Sequence, residues 1–370
     1  MKTRTFLLTL GSALILSACG GGGGGGGGTS APAPTNPTNP TPPPTSPTNP
    51  TNPTTPTNPT TPAPTNPTTP ANPSLSAITA TNATQVASNA YAATASISDS
   101  SSFTDIVTGV TVAPVTISAV SPVLDLIKHV RSGPQLLTGV VRTQACTNGG
   151  TISTDATMAN DAIISNGDVM TMTALNCVQG NATLNGKLKV TFSNVTGDVQ
   201  NSPTWSATMD TIYTDLIVTS GNDAVTISGD MKIAINQASV TRNTVAITGQ
   251  NLQTTERNGS TTATRTLTAY SLNGSTDGLT TTRTSSFNLS GNIPSLGQFA
   301  YTVKNDDGKP FVTVAPANST IVPMPSSGTL TVTGNASTVS VTAIDANNVT
   351  VTFNGGTSTA LTWAALLSLI

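Results

Sequence analysis

The chain is 370 residues long and only 8% charged, with 14 Lys and Arg against 16 Asp and Glu and a formal net charge of −2. That balance creates neither the basic field that gathers nucleic acid nor a polybasic surface for anionic lipid, so nucleic acid is set aside as a partner. A single His and three Cys leave little material for metal chemistry.

Residues 1–18 carry the three parts of a secretory signal peptide. Lys2 and Arg4 give a positive start, Phe6 to Leu16 form a short apolar core, and small residues follow. The core is broken by Thr9, Gly11 and Ser12 and is about half of the ~20 residues a membrane-spanning helix needs, which predicts removal rather than retention. Leu16-Ser17-Ala18-Cys19 resembles the lipobox of bacterial lipoproteins. The resemblance implies that Cys19 is diacylated on sulfur, becomes the new N-terminus after cleavage, and is acylated again on its amine. One acyl chain holds a protein to a bilayer only marginally, at ~0.8 kcal/mol per buried methylene, and additional chains make the attachment stable. In such lipoproteins an Asp after the Cys tends to retain the chain in the inner membrane. Gly20 stands there instead, so the resemblance implies a lipid anchor in the outer membrane, facing the periplasm or the cell surface.

Residues 19–73 read as a tether. Gly20 to Gly28 are nine consecutive glycines, a swivel with no side chains to pack. From Ala31 to about Pro73 the chain is almost entirely Thr, Asn and Pro in a triplet rhythm, as in Thr35-Asn36-Pro37-Thr38-Asn39-Pro40. Proline at every third position matches the three-residue turn of polyproline II, and at ~3.1 Å per residue the segment reaches on the order of 130 Å. With no charges and almost no apolar residues it has no means to build a core.

Residues 74–370 are long enough for one large domain or two smaller ones, and are read here as one β-rich globular domain. Two short helices are predicted to open it. The first is capped by Asn82 and runs to about Ala93, with Val86, Ala90 and Ala93 on one side. The second has Ser121 as cap, Pro122 at its first position, Val123, Leu126, Ile127 and Val130 at core spacing, and Gly133-Pro134 as its stop. Between them Val110 to Val120 alternates like a strand.

From Ala145 onward the period is two, with Thr and Ser on the alternate face, the pattern of half-buried antiparallel strands. An apolar-x-Gly-x-apolar motif recurs at Leu184-Asn-Gly186-Lys-Leu188, Ile227-Ser-Gly229-Asp-Met231, Leu289-Ser-Gly291-Asn-Ile293 and Val332-Thr-Gly334-Asn-Ala336. Asn-Gly often marks a hairpin turn, but parity opposes that here. An unbroken strand puts Leu184, Gly186, Leu188, Val190 and Phe192 on one face, with the glycine as a kink. The expected fold is mainly β: a curved antiparallel meander, curled over a core or partly closed toward a barrel, with loops at Asn194 to Thr204, Gly221 to Asp223 and Asn305 to Lys309. Leu361 to Ile370 reads as a short C-terminal helix that buries Trp363, Leu366 and Leu367.

In an exported chain, Cys146 and Cys177 are expected to pair as a disulfide. The loop closed is about 30 residues, worth roughly 3 to 4 kcal/mol in the chain-entropy model. Two motifs around them, Cys146-Thr-Asn-Gly149-Gly150-Thr and Gly167-Asp168-Val-Met-Thr-Met-Thr, join Asn176-Cys177, Leu184-Asn185-Gly186 and Gly328-Thr-Leu-Thr-Val-Thr-Gly334 in a recognisable order. With the helices before the first Cys, this order resembles uncharacterised lipoproteins of proteobacteria. The resemblance implies an address and an architecture; it brings no activity, cofactor or site residue.

Catalytic signals are weak. His129, one turn after Asp125, could be oriented for base catalysis, yet its position in the last turn beside Lys128 and Arg131 suits a charge at a helix C-terminus. Gly274-Ser-Thr276-Asp-Gly278 lacks the serine of a nucleophile elbow and reads as a turn, as does Asp306-Asp307-Gly308, which lacks the alternate ligands of a calcium loop. One His and a paired Cys couple make no zinc site, so no metal or other cofactor is expected. Glu256 is the only glutamate, which removes a two-glutamate glycosidase and leaves aspartates as the remaining route. Trp205 and Trp363 are the only tryptophans, too few for a broad sugar-stacking platform. The chain therefore reads as a non-enzymatic outer-membrane lipoprotein presenting a tethered β-rich binding or adhesion domain, its protein, polysaccharide or lipid ligand unspecified. The alternatives are a carrier of a lipid or other apolar ligand and, more remotely, an envelope hydrolase.

Overall fold

The computed structural model describes residues 74–97, 139–146, 148–160, 163–179, 182–199, 202–316 and 323–369. Cys19, the signal peptide, the tether, the strand expected over Val110 to Val120 and the helix carrying Asp125 and His129 lie outside them.

The first helix begins at a reciprocal cap. Thr79 Oγ1 accepts from the Asn82 N–H at 3.3 Å, and Asn82 Oδ1 accepts from the Thr79 N–H at 2.8 Å. This is a capping box with Asn in the place of Glu or Gln, so the cap is Thr79 and not the expected Asn82. Helix α1 (Ala83–Ile97) also runs one turn past Ala93. The extra turn is held by its apolar stripe: Val86, Ala90, Ala93 and Ile97 recur at helical spacing and are all buried.

Everything else of size is strand. β1 (Arg142–Ala145), β2 (Thr151–Thr157), β3 (Val169–Gln179), β4 (Ala182–Thr196), β5 (Trp205–Ser220), β6 (Asp223–Ser239), β7 (Arg242–Asn258), β8 (Thr261–Asp277) and β9 (Thr280–Ile293) follow one another as an antiparallel meander. β10 (Gly297–Asn305) and β11 (Phe311–Val314) pair with successive stretches of the same edge of β9. β12 (Thr329–Gly334), β13 (Ser337–Ala343), β14 (Asn348–Phe353) and β15 (Ser358–Thr362) continue the sheet from β10. Where β10 leaves β9, Asn305 fills the gap: its Oδ1 accepts from the Ser285 N–H at 2.8 Å and its Nδ2 donates to the Thr329 carbonyl at 3.0 Å. The sheet is not closed; among the described residues β1 and β15 are its outermost strands. The expected partial closure toward a barrel is absent because these two strands make no ladder with each other.

Strand parity selects one inner face. Leu188, Val190 and Phe192 on β4, Ile227, Met231 and Ile233 on β6, and Phe287 and Leu289 on β9 are all nearly inaccessible to solvent. Helix α1 packs on this face against β8, β9 and β12 to β14. A line of β-bulges crosses the sheet at Ala174/Cys177, Asn185/Lys187, Tyr213/Leu216, Gly229/Lys232 and Thr268/Ser271. Bulges bend and twist the strands they interrupt, and here each restores the inward parity beyond the bend. The glycine motif meets this line at Gly186 and Gly229, whereas Gly291 pairs in regular register with Arg265 and Phe299. Gly186, Gly229 and Gly291 lie inside continuous strands, as expected. A Cβ on Gly229 would stand 2.0 Å from the Asn251 carbonyl oxygen, with φ at +126°.

The fourth motif is different. β12 ends at Gly334, Asn335-Ala336 form a two-residue turn, and Gly334 pairs with Ser337 across it, so the unbroken strand expected there is a hairpin. The reason is tertiary. Ser76 runs past this corner, donating its N–H to the Ala300 carbonyl and accepting from the Asn335 N–H, both at 2.8 Å. A Cβ on Gly334 would meet the Ser76 carbonyl oxygen at 2.4 Å.

The Cys146–Cys177 disulfide is present, with the two Cα atoms 5.4 Å apart, and ties the end of β1 to the bulge of β3. At the C-terminus, α2 (Trp363–Leu367) starts later than expected because Leu361 belongs to β15, opposite Val349. Thr362 caps it, accepting from the Ala365 N–H at 3.0 Å. Trp363 and Leu366 are buried as expected, whereas Leu367 is only half-buried.

Candidate functional site

The two faces of the long strands differ in what they leave open. The inner face is occupied by its own side chains, as above. On the opposite face a groove of ≈ 520 Å³ crosses β4 to β9. Six strands spaced at about 4.8 Å make it roughly 24 Å long across the strands.

Two registered rows build the groove. In one, Ser206, Asn236, Thr244, Ser275 and Thr282 stand opposite one another from β5 to β9. In the next, Thr208, Ala234, Ala246, Asn273 and Thr284 do the same. Ala234 and Ala246 face each other across β6 and β7 and are half-buried, so the middle of the second row is a small apolar floor. Thr208 is 6% exposed, whereas Asn236, Thr244, Asn273, Ser275 and Thr284 are exposed, so the groove is deep only at its β4–β5 end. Asn194 closes the β4 end and donates to Thr208 Oγ1 at 3.3 Å. No ionisable side chain lines the groove. The charges two residues along the strands on either side are paired, Asp210 with Lys232 at 3.1 Å and Arg242 with Asp277 at 3.2 Å. The lining carries hydroxyls and carboxamides, groups that both donate and accept, set in a surface that is largely apolar, and it holds no nucleophile paired with a base.

The residues weighed for chemistry from the sequence do not converge. Glu256 lies 2.8 Å from Arg265 Nη1, a contact whose angle falls short of a hydrogen bond, and Arg265 Nε donates to Asn89 Oδ1 of α1 at 2.7 Å. This cluster fastens helix to sheet. Asp168 is buried and accepts from the Ala159 and Ser165 N–H groups at 2.8 and 2.7 Å, holding a loop. Asp306-Asp307-Gly308 is a turn, as expected, with the Lys309 N–H donating to the Asp306 carbonyl at 3.0 Å. Thr276 and Asp277 end β8 and Gly278 turns the chain. Among the described residues no group of three His, Cys, Asp or Glu side chains is placed to hold a metal ion. Trp205 and Trp363 are both buried.

Sequence reading touched the groove only at Gly274 and Ser275, taken as part of a turn, and at Asn194, taken as the start of a loop, and did not connect them. The trace of the groove as a whole is the outward run of Thr, Ser and Asn on alternate positions, which says nothing of which strands stand side by side. The chain matches no protein-family model, no curated protein and no solved structure. Fold and groove together define a class only: an open, bulge-bent antiparallel meander with an uncharged groove on its outer face.

Proposed function

We propose that the chain is a non-enzymatic outer-membrane lipoprotein, anchored through Cys19, that holds its β domain on a long tether as a binding or adhesion module. The observation that carries the reading is the uncharged groove across β4 to β9, which is shaped to receive a ligand yet contains no reactive pair. The engagement of Glu256 with Arg265 and Asn89 supports binding over hydrolysis. A carrier of apolar ligands would use the inner face, and that face is filled by Leu188, Phe192, Met231 and their neighbours.

Protease shaving of intact cells, with blotting for residues 74–370, tests the address. Loss of the domain places it outside and supports adhesion or surface protection. Survival until the outer membrane is breached places it in the periplasm and favours the carrier. Full-length protein that binds neither cells nor any envelope polymer or envelope protein would remove the binding-module reading.

A further inference from the structure

Resting on that binding-module reading, we propose that the occupant of the groove is a neutral polysaccharide strand laid across β4 to β9. The first argument is charge. A polyanion or a cationic peptide placed in a recess without one ionisable side chain would lose hydration with nothing to replace it. A polyol brings hydroxyls, each a donor and an acceptor, to carboxamides and hydroxyls of the same dual character, at Asn236, Asn273 and Thr244.

The second argument is shape. Ala234 and Ala246 form a flat apolar step between polar rows, a seat for the C–H face of a sugar ring. The rows repeat at the strand spacing of about 4.8 Å, close to the rise of one pyranose in an extended chain, so a periodic ligand meets a periodic wall. The third argument is what the groove withholds from a peptide. Strand addition needs a free backbone edge, and Pro-rich recognition needs aromatic walls. β5 to β8 are laddered on both sides along the groove, and no aromatic side chain lines it.

The groove is set apart from the first described residues of the domain. The chain enters the domain at Ser76, beside Ala300, which pairs with Ser290 of β9. The groove meets β9 at Thr282, eight residues along, roughly 26 Å at strand rise. The site thus lies along β9 at a distance from the pairing of Ser76 with Ala300. Neutral hydrogen bonds contribute only about 0.5–1.5 kcal/mol each, so a single site binds weakly. Many copies anchored in one membrane convert weak sites into avidity.

The test follows the methyl resonances of Ala234 and Ala246 in the full mature chain in detergent micelles. The probes are neutral glucan, galactan and mannan oligosaccharides, with hyaluronan fragments as the anionic polymer. The expected result is a shift of both methyls with at least one neutral glycan, at an affinity independent of salt. Ala246→Lys, which fills the seat, and Asn273→Asp, which keeps the size, each weaken binding about tenfold or more because they set an unpaired charge against an uncharged ligand. Their thermal midpoints report whether they remain folded. Silence of both methyls with every neutral glycan, a stronger response to hyaluronan, or unchanged affinity in both folded variants overturns the proposal. If the groove variants still bind cells or envelope fractions as the parent does, the glycan proposal falls and the binding-module reading stands. If the parent binds none of these, both fall.

Discussion

Tyr270 lies over Gly249 and donates its hydroxyl to the Asp230 carbonyl, so that one side chain of β8 crosses β7 to reach β6. The Asp230 carboxylate in turn accepts from the Gln250 and Asn251 N–H groups, both at 2.9 Å. These contacts satisfy the backbone groups that the bulge between β6 and β7 frees from the ladder.

A Cβ on Gly249 would stand 2.3 Å from Tyr270 Cζ and Oη, whereas one on Gly274 in the neighbouring strand would meet nothing closer than 3.9 Å. Gly249→Ala is therefore expected to destabilise the domain by roughly 1–3 kcal/mol through forced displacement of the ring. Gly274→Ala should be near neutral. Urea unfolding checks both: the midpoint falls for the first variant with the slope unchanged, and equal midpoints would show that Tyr270 is not held as described.

The four tyrosines of the chain all lie in the β-rich unit, and the pKa of each is raised above the usual 10.0. Burial is the main cause in every case; the Asp230 carboxylate adds to it at Tyr270, and Arg283 partly offsets it at Tyr91. The neutral ring is favoured in the folded state, so the contribution is fully present below pH 10.0 and is lost as pH rises toward the folded values. Tyrosinate absorbance should rise only together with alkaline unfolding. A phenol that titrates near pH 10.0 in the still-folded chain would contradict the burial of that residue.

Arg265 has 2% of its side chain exposed and Glu256 15%. Glu256→Gln strands the guanidinium against α1 and is expected to cost about 3–5 kcal/mol, toward the lower end because the glutamate retains some solvent. Replacing both, as Arg265→Met with Glu256→Leu, should restore most of the loss. A thermal melt of the three proteins reads this directly. Equal stability of the Glu256→Gln variant would show that Arg265 draws its compensation elsewhere.

The disulfide closes a loop of 31 positions. Serine at both Cys146 and Cys177 is expected to lower stability by roughly 2–4 kcal/mol. Hydrogen exchange should quicken chiefly in β1 to β3, since the bond ties the outermost strand to the sheet. A uniform change across β1 to β15 would mean that the bond supports the whole sheet and not its edge.

Much of the fold was legible because its signals are local. Alternation along Leu184 to Phe192 fixed which side of β4 is inside, and the reading of glycines inside continuous strands holds at Gly186 and Gly229, which meet the bulge line, and at Gly291 within β9. The same motif at Gly334 misled, because the event that turns the chain there is Ser76, 258 positions away. Likewise Asn82 looked like a cap from its own neighbours, and only the pair of bonds with Thr79 shows which residue caps.

The sequence by itself carried the strand period and the expectation that Cys146 pairs with Cys177, since the first is written in neighbouring residues and the second follows from how few cysteines there are. Tertiary structure alone decided that the sheet stays open, that its strands bend on one line, and that Asn236, Thr244, Ala246 and Asn273 share a groove. The physical reason is direction. A strand's period runs along the chain, whereas the groove runs across it, and the register that aligns six strands is set by bulges and close backbone contacts that no single strand encodes.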